Sequence, residues 1–413
     1  MKTVFNKGMS VAAEPASEQA RKPLVIVSGL HEDQVDRTVE SMFPGQLDGV
    51  VVIHHDLSEI EQGVVRKNVR AAGRWQTTML ELAHGCVSCT LRQDMLPSLR
   101  RAAFDSDVDE IVLRLDPAVE PEAVCAAIAE IIVNETTVDE DVRIDAVVAV
   151  VDLESWLSDA TSDEELTERG IRARVDDERT VAQQAVGQVE FADAVVLAGT
   201  APERHEELRT REILRRLAPS APLAEPDRAD LSSLPAEIPV SARRGEVDGV
   251  HGPLLRGNPD LETSAGVGIV LFEHRRPFHP QRLYEALDVL LDGVVRARGR
   301  AWLASRPDSV LWLESAGGGL SIGDGGPWFT AMSSHQRAES SAEWQLRASL
   351  YWDHHYGDRA QEIVVLTHDA DPAMIVSALD NALLNDAEIE TDQVGTAYPD
   401  PFDDWREDPC VDT

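Results

Sequence analysis

The stretch Leu24-Val25-Ile26-Val27-Ser28-Gly29-Leu30-His31-Glu32-Asp33-Gln34-Val35-Asp36 decides the fold. Four consecutive apolar residues, mostly β-branched, predict a strand buried on both faces, and the small pair Ser28-Gly29 ends it. The acids at 32, 33 and 36 then suit the opening of a helix, where the macrodipole favours negative charge. Comparable runs recur at Val50 to Ile53, Ile111 to Leu115, Ala146 to Val151 and Ala194 to Leu197. Helical spacing separates them, as in Leu91, Met95 and Leu99. Short apolar strands alternating with helices predict an α/β domain with a mostly parallel sheet covered on both faces.

A chain of 413 residues exceeds one ordinary core and predicts two domains. Residues 1–22 are polar and Ala-rich, a disordered tail by composition. The α/β domain takes 23–244. Residues 245–265, with Gly245, Gly249, Gly252, Pro253, Gly257 and Pro259, read as a linker. A smaller α+β domain takes 266–390. Its first helix follows Pro280 with Leu283, Leu287, Leu290 and Leu291 on one face, and strands run over Val310 to Leu313 and Ile363 to Leu366. Its last helix has Asp371 as N-cap and Pro372 in the first turn. Residues 391–413 read as an acidic disordered tail.

The net charge of -36 argues against a nucleic-acid or anionic-membrane footprint, because phosphate binding needs clustered cations. The opening residues lack the continuous apolar core of a signal peptide, and no apolar run approaches a membrane span. A cytoplasmic protein that meets its partners through protein contacts is expected. Lysine occurs only at Lys2, Lys7, Lys22 and Lys67, which limits any nucleotide chemistry. Four cysteines in so long a chain do not make a disulfide framework, so the Cys86/Cys89 pair calls for explanation.

Several segments together resemble one family. Val25 to Leu30 resemble the opening of the phosphate-binding loop of the CobW metallochaperone GTPases, which have a P-loop NTPase-like fold. Glu81-Leu82-Ala83-His84-Gly85-Cys86-Val87-Ser88-Cys89-Thr90-Leu91-Arg92-Gln93-Asp94 resembles the family's glycine-cysteine segment. Arg275-Arg276-Pro277-Phe278-His279-Pro280, Arg298-Gly299, Trp302 to Pro307 and Gly357 to Glu362 resemble its C-terminal domain in order and spacing.

The resemblance also exposes departures. A working phosphate loop needs small residues to wrap phosphates, a Lys to reach them and a Ser/Thr for Mg²⁺. Aligned on Gly29, the later glycines fall on Glu32 and Gln34, the lysine on Val35 and the Mg²⁺ hydroxyl on Asp36. Like charges 4 Å apart repel by roughly 4 kcal/mol at an effective dielectric near 20, so Glu32, Asp33 and Asp36 would oppose a triphosphate. The family's acid after the third strand becomes Arg114 in Arg114-Leu115-Asp116-Pro117, and the retained Glu120-Pro121 supports that alignment. Its guanine-reading segment becomes Ala198-Gly199-Thr200-Ala201. A degenerate nucleotide site is therefore expected, with GTP/Mg²⁺ binding and turnover absent.

The family's Cys-x-Cys-Cys becomes Cys86-Val87-Ser88-Cys89. Two thiolates can meet one Zn²⁺, but a structural site needs four ligands, and His84 is the nearest further candidate. A redox pair at a helix N-terminus and an inert remnant remain the other readings. Asp56 and Glu59 match acidic family positions, His354-His355 suits a surface or packing role, and Arg275-Arg276 suits ion pairing between domains. The scaffold and the Cys-Val-Ser-Cys motif resemble the Mrf branch, the ribosome hibernation-factor recruitment factors. That resemblance implies a zinc-responsive adaptor whose partners are a hibernation factor and the small ribosomal subunit. The alternatives are a GTP-dependent zinc metallochaperone and a metal-independent scaffold.

Overall fold

The computed structural model describes residues 21–44, 48–82, 85–174, 177–226, 230–390 and 398–402. The first domain is built on β1 (Lys22–Gly29), β2 (Val50–Asp56), β3 (Val64–Ala71), β4 (Arg74–Glu81) and β5 (Glu110–Arg114). A small hairpin, β6 (Ile132–Val133) and β7 (Thr136–Thr137), stands apart, and β8 (Val142–Asp152), β9 (Ala194–Ala198) and β10 (Leu223–Ala224) return to the main sheet. The sheet order is β10-β9-β8-β1-β5-β2-β3-β4. Every pair from β10 to β2 is parallel, and the β2–β3 and β3–β4 pairs are antiparallel. The expected α/β class holds, with an antiparallel hairpin added at one edge.

β1 lies at the centre because both of its faces are apolar. Leu24 and Ile26 join a core with α3 (Leu96–Ala103) and α4 (Pro121–Glu130). Val25 and Val27 join the opposite core with α1 (Glu32–Met42). Near β8 and β9, α5 (Trp156–Asp159), α6 (Val181–Glu190) and α7 (Arg204–Leu217) complete a third core that also takes in Val267, Val295 and Leu366 of the second domain. Glu190 of α6 reinforces that junction by pairing with Arg296 at 2.9 Å and Arg298 at 3.3 Å.

A short α8 (Leu234–Glu237) closes the first domain. Residues 245–263 contain no helix or strand, and they are packed in place. Arg300 donates to the carbonyls of Val250 and Gly252, and His251 stacks on Trp344 at 3.8 Å between centroids.

The second domain holds β11 (Val267–His274), β12 (Val294–Ala301), β13 (Ser309–Ala316), β14 (Gly319–Pro327) and β15 (Gln361–His368), ordered β11-β15-β12-β13-β14 and wholly antiparallel. Its helices are α9 (Pro280–Ala286), α10 (Ser334–Glu339), α11 (Ala342–Leu350), α12 (Pro372–Ala382) and α13 (Asp386–Glu390). Asp371 caps α12 through Ala373 N at 2.9 Å, as predicted, although α13 follows it.

Two domain boundaries shift. Lys22, placed in the N-terminal tail by composition, opens β1 opposite Val142, while residues 1–20 lie outside the described residues. Within the expected acidic tail, 398–402 pack on the second domain. Asp400 accepts from Ser305 at 2.8 Å and Phe402 is buried against Tyr284, whereas 391–397 and 403–413 lie outside the described residues.

Candidate functional site

Gly29 ends β1, and only Leu30 and His31 separate it from α1. No glycine-rich loop intervenes, and the backbone turns into the helix at once: Gln34 N and Val35 N donate to His31 O at 3.0 and 3.1 Å. Val35, aligned with the phosphate-binding lysine, is 1% exposed and belongs to the core on that face of β1. A Cβ placed on Gly29 would lie 2.8 Å from Val35 Cγ2, so the two residues are in close mutual packing. His31, the N-cap residue, instead approaches Ser155 Oγ at 2.8 Å, and its hydrogen bond to Asp159 raises its pKa.

The decisive feature is Arg114, a buried cation at the end of apolar β5. Its Nε donates to Asp36 at 2.7 Å and its Nη2 to Glu32 at 3.0 Å, both carboxylates being more than half exposed. Its Nη1 lies 2.7 Å from Nε2 of His54. Burial, and then the Arg114 charge, push His54 down to about 3, so the neutral ring acts as acceptor. The three carboxylates at the start of α1 do not act as one group. Glu32 and Asp36 share the single positive charge of Arg114, while Asp33 pairs with Arg37 at 3.3 Å on the outer surface.

Asp116, two residues on, accepts from Leu57 N and Ala118 N, each at 2.9 Å. Burial pushes its carboxyl up to about 6 despite these bonds. Gly199, in the segment aligned with base recognition, adopts a left-handed φ of 69°. A Cβ there would come 2.4 Å from Asp152 Oδ1. A cleft of about 830 Å³ survives beside it, lined in part by Gln34, Thr38, Leu153, Thr200 and Arg211. Arg211 is itself held by Glu207 and Glu225.

The cysteine turn follows β4. Gly85 is required there, because a Cβ would fall 1.9 Å from the carbonyl oxygen of Ile60. Cys86 is the N-cap of α2 (Val87–Thr90), its sulfur accepting from Cys89 N at 3.3 Å. A π-helical turn, Leu91–Met95, then joins α2 to α3. That turn directs Asp94 back to the sheet, where it accepts from His55 Nε2 and Lys67 Nζ, both at 2.9 Å. Burial opposes its ionisation, but the bonds from His55 and Lys67 prevail and hold it well below the usual carboxylate range.

Cys86 and Cys89 are half-buried cysteines on one helical turn, neither in a disulfide, which suits two of the sulfur ligands of a zinc ion. Among the described residues, no three His, Cys, Asp or Glu side chains gather to hold a metal. His84, the expected third ligand, lies outside the described residues. Asp56 and Glu59 are both engaged by Arg66, the former at 3.1 Å. The exposed rings of His354 and His355 meet edge-on, with centroids 5.1 Å apart. The expectation for Arg275-Arg276 is corrected: Arg276 pairs with Asp386 and Arg275 donates to Arg359 O, both within the second domain.

Residues 46–225 match the CobW/HypB/UreG nucleotide-binding domain, and residues 267–383 match the cobalamin synthesis protein cobW C-terminal domain. The chain is 43% identical over 401 residues to zinc chaperone Rv0106 of Mycobacterium tuberculosis, covering 94% of this chain and 95% of that one. The chain belongs to the CobW family. A second CobW relative is zinc-regulated GTPase metalloprotein activator 1 of Dictyostelium discoideum, 26% identical over 82% of this chain and 75% of that one. The solved structure of Zn(II)-bound YjiA GTPase from E. coli aligns with a TM-score of 0.36 at 14% identity, over 88% of this chain and 99% of that one. The CobW nucleotide-binding match begins after β1 and α1.

Sequence reasoning singled out Arg114 but not its partners Glu32, Asp36 and His54. The signal was an arginine closing the apolar run Ile111-Val112-Leu113, where a buried cation requires a carboxylate nearby.

Proposed function

We propose that this chain is a zinc-responsive CobW adaptor that does not hydrolyse GTP. The observation that supports this reading is the Arg114 network. A guanidinium bonded to Glu32 and Asp36 spans the mouth of α1, where family members would seat Mg²⁺ and phosphates. Cys86 and Cys89 supply the zinc-sensing thiols, and the name of the 43% identical relative, a zinc chaperone, supports zinc as the metal. On the Mrf resemblance, its cytoplasmic partners are a ribosome hibernation factor and the small ribosomal subunit. The test combines calorimetric titration with Mg²⁺-GTP and affinity capture from cells grown with and without zinc. The adaptor reading expects no nucleotide binding at micromolar concentration and a zinc-dependent change in captured ribosomal material. Micromolar GTP binding with turnover would overturn it.

A second reading, a GTP-dependent zinc metallochaperone, is favoured by the printed names of the two relatives. It requires GTP turnover coupled to zinc release. A metal-independent scaffold is favoured by the lack of a three-ligand cluster among the described residues. It requires Cys86→Ser/Cys89→Ser to leave both zinc content and partner capture unchanged.

A further inference from the structure

The β3–β4 hairpin closes on Ala72 and Gly73, both at positive φ (47° and 71°), the conformation of a two-residue type I′ turn. β4 is the outermost strand of the eight-stranded sheet. Seven of its eight residues are exposed, so the strand stands in solvent on both faces. Edge strands are normally blunted by central charges, prolines, glycines or bulges. The central residues Trp75-Gln76-Thr77-Thr78-Met79-Leu80 contain no charge, Pro or Gly, and the β3–β4 register is uninterrupted.

The electrostatics of this edge differ from the rest of the chain. Residues 62–80 carry Arg66, Lys67, Arg70 and Arg74 and no acid, in a protein of net charge -36. Three of those cations are matched locally: Arg66 by Asp56 and Glu59, Lys67 by Asp94, and Arg70 by Glu40. The edge is therefore close to neutral, whereas approach of two copies through an acidic surface is repulsive.

Hydrogen-bond phase and side-chain pairing together select a register. The pair flanking a two-residue turn, Ala71 and Arg74, is the hydrogen-bonded kind, so the N–H and C=O groups of Trp75, Thr77 and Met79 point away from β3. A two-fold axis normal to the sheet keeps every residue on its own face, so only positions of equal parity can oppose each other. An axis through Thr77 places Trp75 of each copy opposite Met79 of the other and satisfies about six main-chain hydrogen bonds. It covers two residues that are 57% and 52% exposed with an indole–thioether contact on the same face. An axis through Thr78 would instead set Trp75 against Glu81 and Met79 against Thr77.

We propose that β4 pairs with β4 of a second copy, antiparallel about Thr77, joining two sheets into one through Trp75 and Met79. Sedimentation velocity of the full chain from sub-micromolar to roughly 100 μM concentration tests it, the upper limit allowing for a modest interface. A monomer–dimer equilibrium is expected, and Trp75→Lys/Met79→Lys should weaken it at least about tenfold. Register is tested by disulfide formation in a Cys86→Ser/Cys89→Ser/Cys410→Ser background. Thr77→Cys should cross-link readily, since hydrogen-bonded pairs have Cα atoms about 5.5 Å apart. Thr78→Cys should not, because its copies lie roughly 8 Å apart in this register. A monomer throughout the range, a dimer indifferent to the paired lysines, or equal cross-linking at 77 and 78 would each overturn the proposal.

Discussion

Placing the family's lysine at position 35 is the most direct trial of the proposed loss of the nucleotide site. Alignment alone places residue 35 at the phosphates, but α1 turns Val35 into the core against Gly29, leaving it 1% exposed. Val35→Lys therefore has two costs. Removing a buried valine forfeits about 1.5 kcal/mol of apolar transfer energy. An ammonium forced into this core would have its pKa driven from about 10.4 toward roughly 7, a cost near 4–5 kcal/mol at neutral pH. Extension of the lysine stem toward the helix edge relieves part of this, so a net loss of about 3–5 kcal/mol is expected. That is a large fraction of the roughly 5–15 kcal/mol stability of a typical domain. The assay is equilibrium urea unfolding followed by far-ultraviolet circular dichroism, with Val35→Met as a volume control losing less than about 2 kcal/mol. Parallel phosphate-release measurements should show no GTP turnover. A Val35→Lys protein within about 1 kcal/mol of the parent would refute the burial argument, and measurable turnover would refute the lost-site argument.

Other consequences follow from the same geometry. Arg114→Met and Asp36→Asn, each destabilising by roughly 1–2 kcal/mol in urea unfolding, should show a coupling of about 1 kcal/mol in a double-mutant cycle, discounted because Asp36 is more than half exposed. His54 has a folded pKa of about 3 against 6.5 unfolded, so the unfolded chain binds the extra proton between those values and stability rises with pH across that window. The gap between parent and His54→Gln should therefore widen by about 2–3 kcal/mol from pH 4.5 to pH 7. Asp116, raised to about 6, has the opposite slope in both proteins and cancels from that difference. Gly85→Ala must displace the Ile60 carbonyl; a loss of roughly 1–3 kcal/mol and reduced zinc retention, measured by dialysis and atomic emission, are expected.

The parallel core of the fold was legible because its strands are unbroken apolar runs, a pattern that double burial demands. The β3–β4 hairpin was not. Arg66, Lys67, Arg70 and Arg74 interrupt any apolar alternation, and the turn is Ala72-Gly73 rather than a strong Asn-Gly signal. β14 was hidden for another reason: four glycines among its nine residues read as loop, yet its pairing with β13 supplies the order that propensity withholds. Within the site, sequence identified the replaced residues but treated them as one electrostatic group. Side-chain direction separates them, since Val35 faces the core, Asp33 the solvent and Glu32 with Asp36 the end of β5.

That separation bears on how the replacements depend on one another. The family arrangement sets a cation on α1 and a carboxylate at the end of β5; this chain sets carboxylates on α1 and a cation at the end of β5. Either exchange alone is unfavourable. Arg114 without Glu32 and Asp36 would be a buried guanidinium with only a neutral imidazole as side-chain acceptor. Glu32 and Asp36 without Arg114 would repel each other and the nearby Asp116, whose carboxyl burial has already pushed up to about 6. Together the exchanges form a closed network between the start of α1 and the end of β5. A reversion that introduces only the lysine, or only the strand-end acid, therefore moves the protein toward instability before it approaches nucleotide binding.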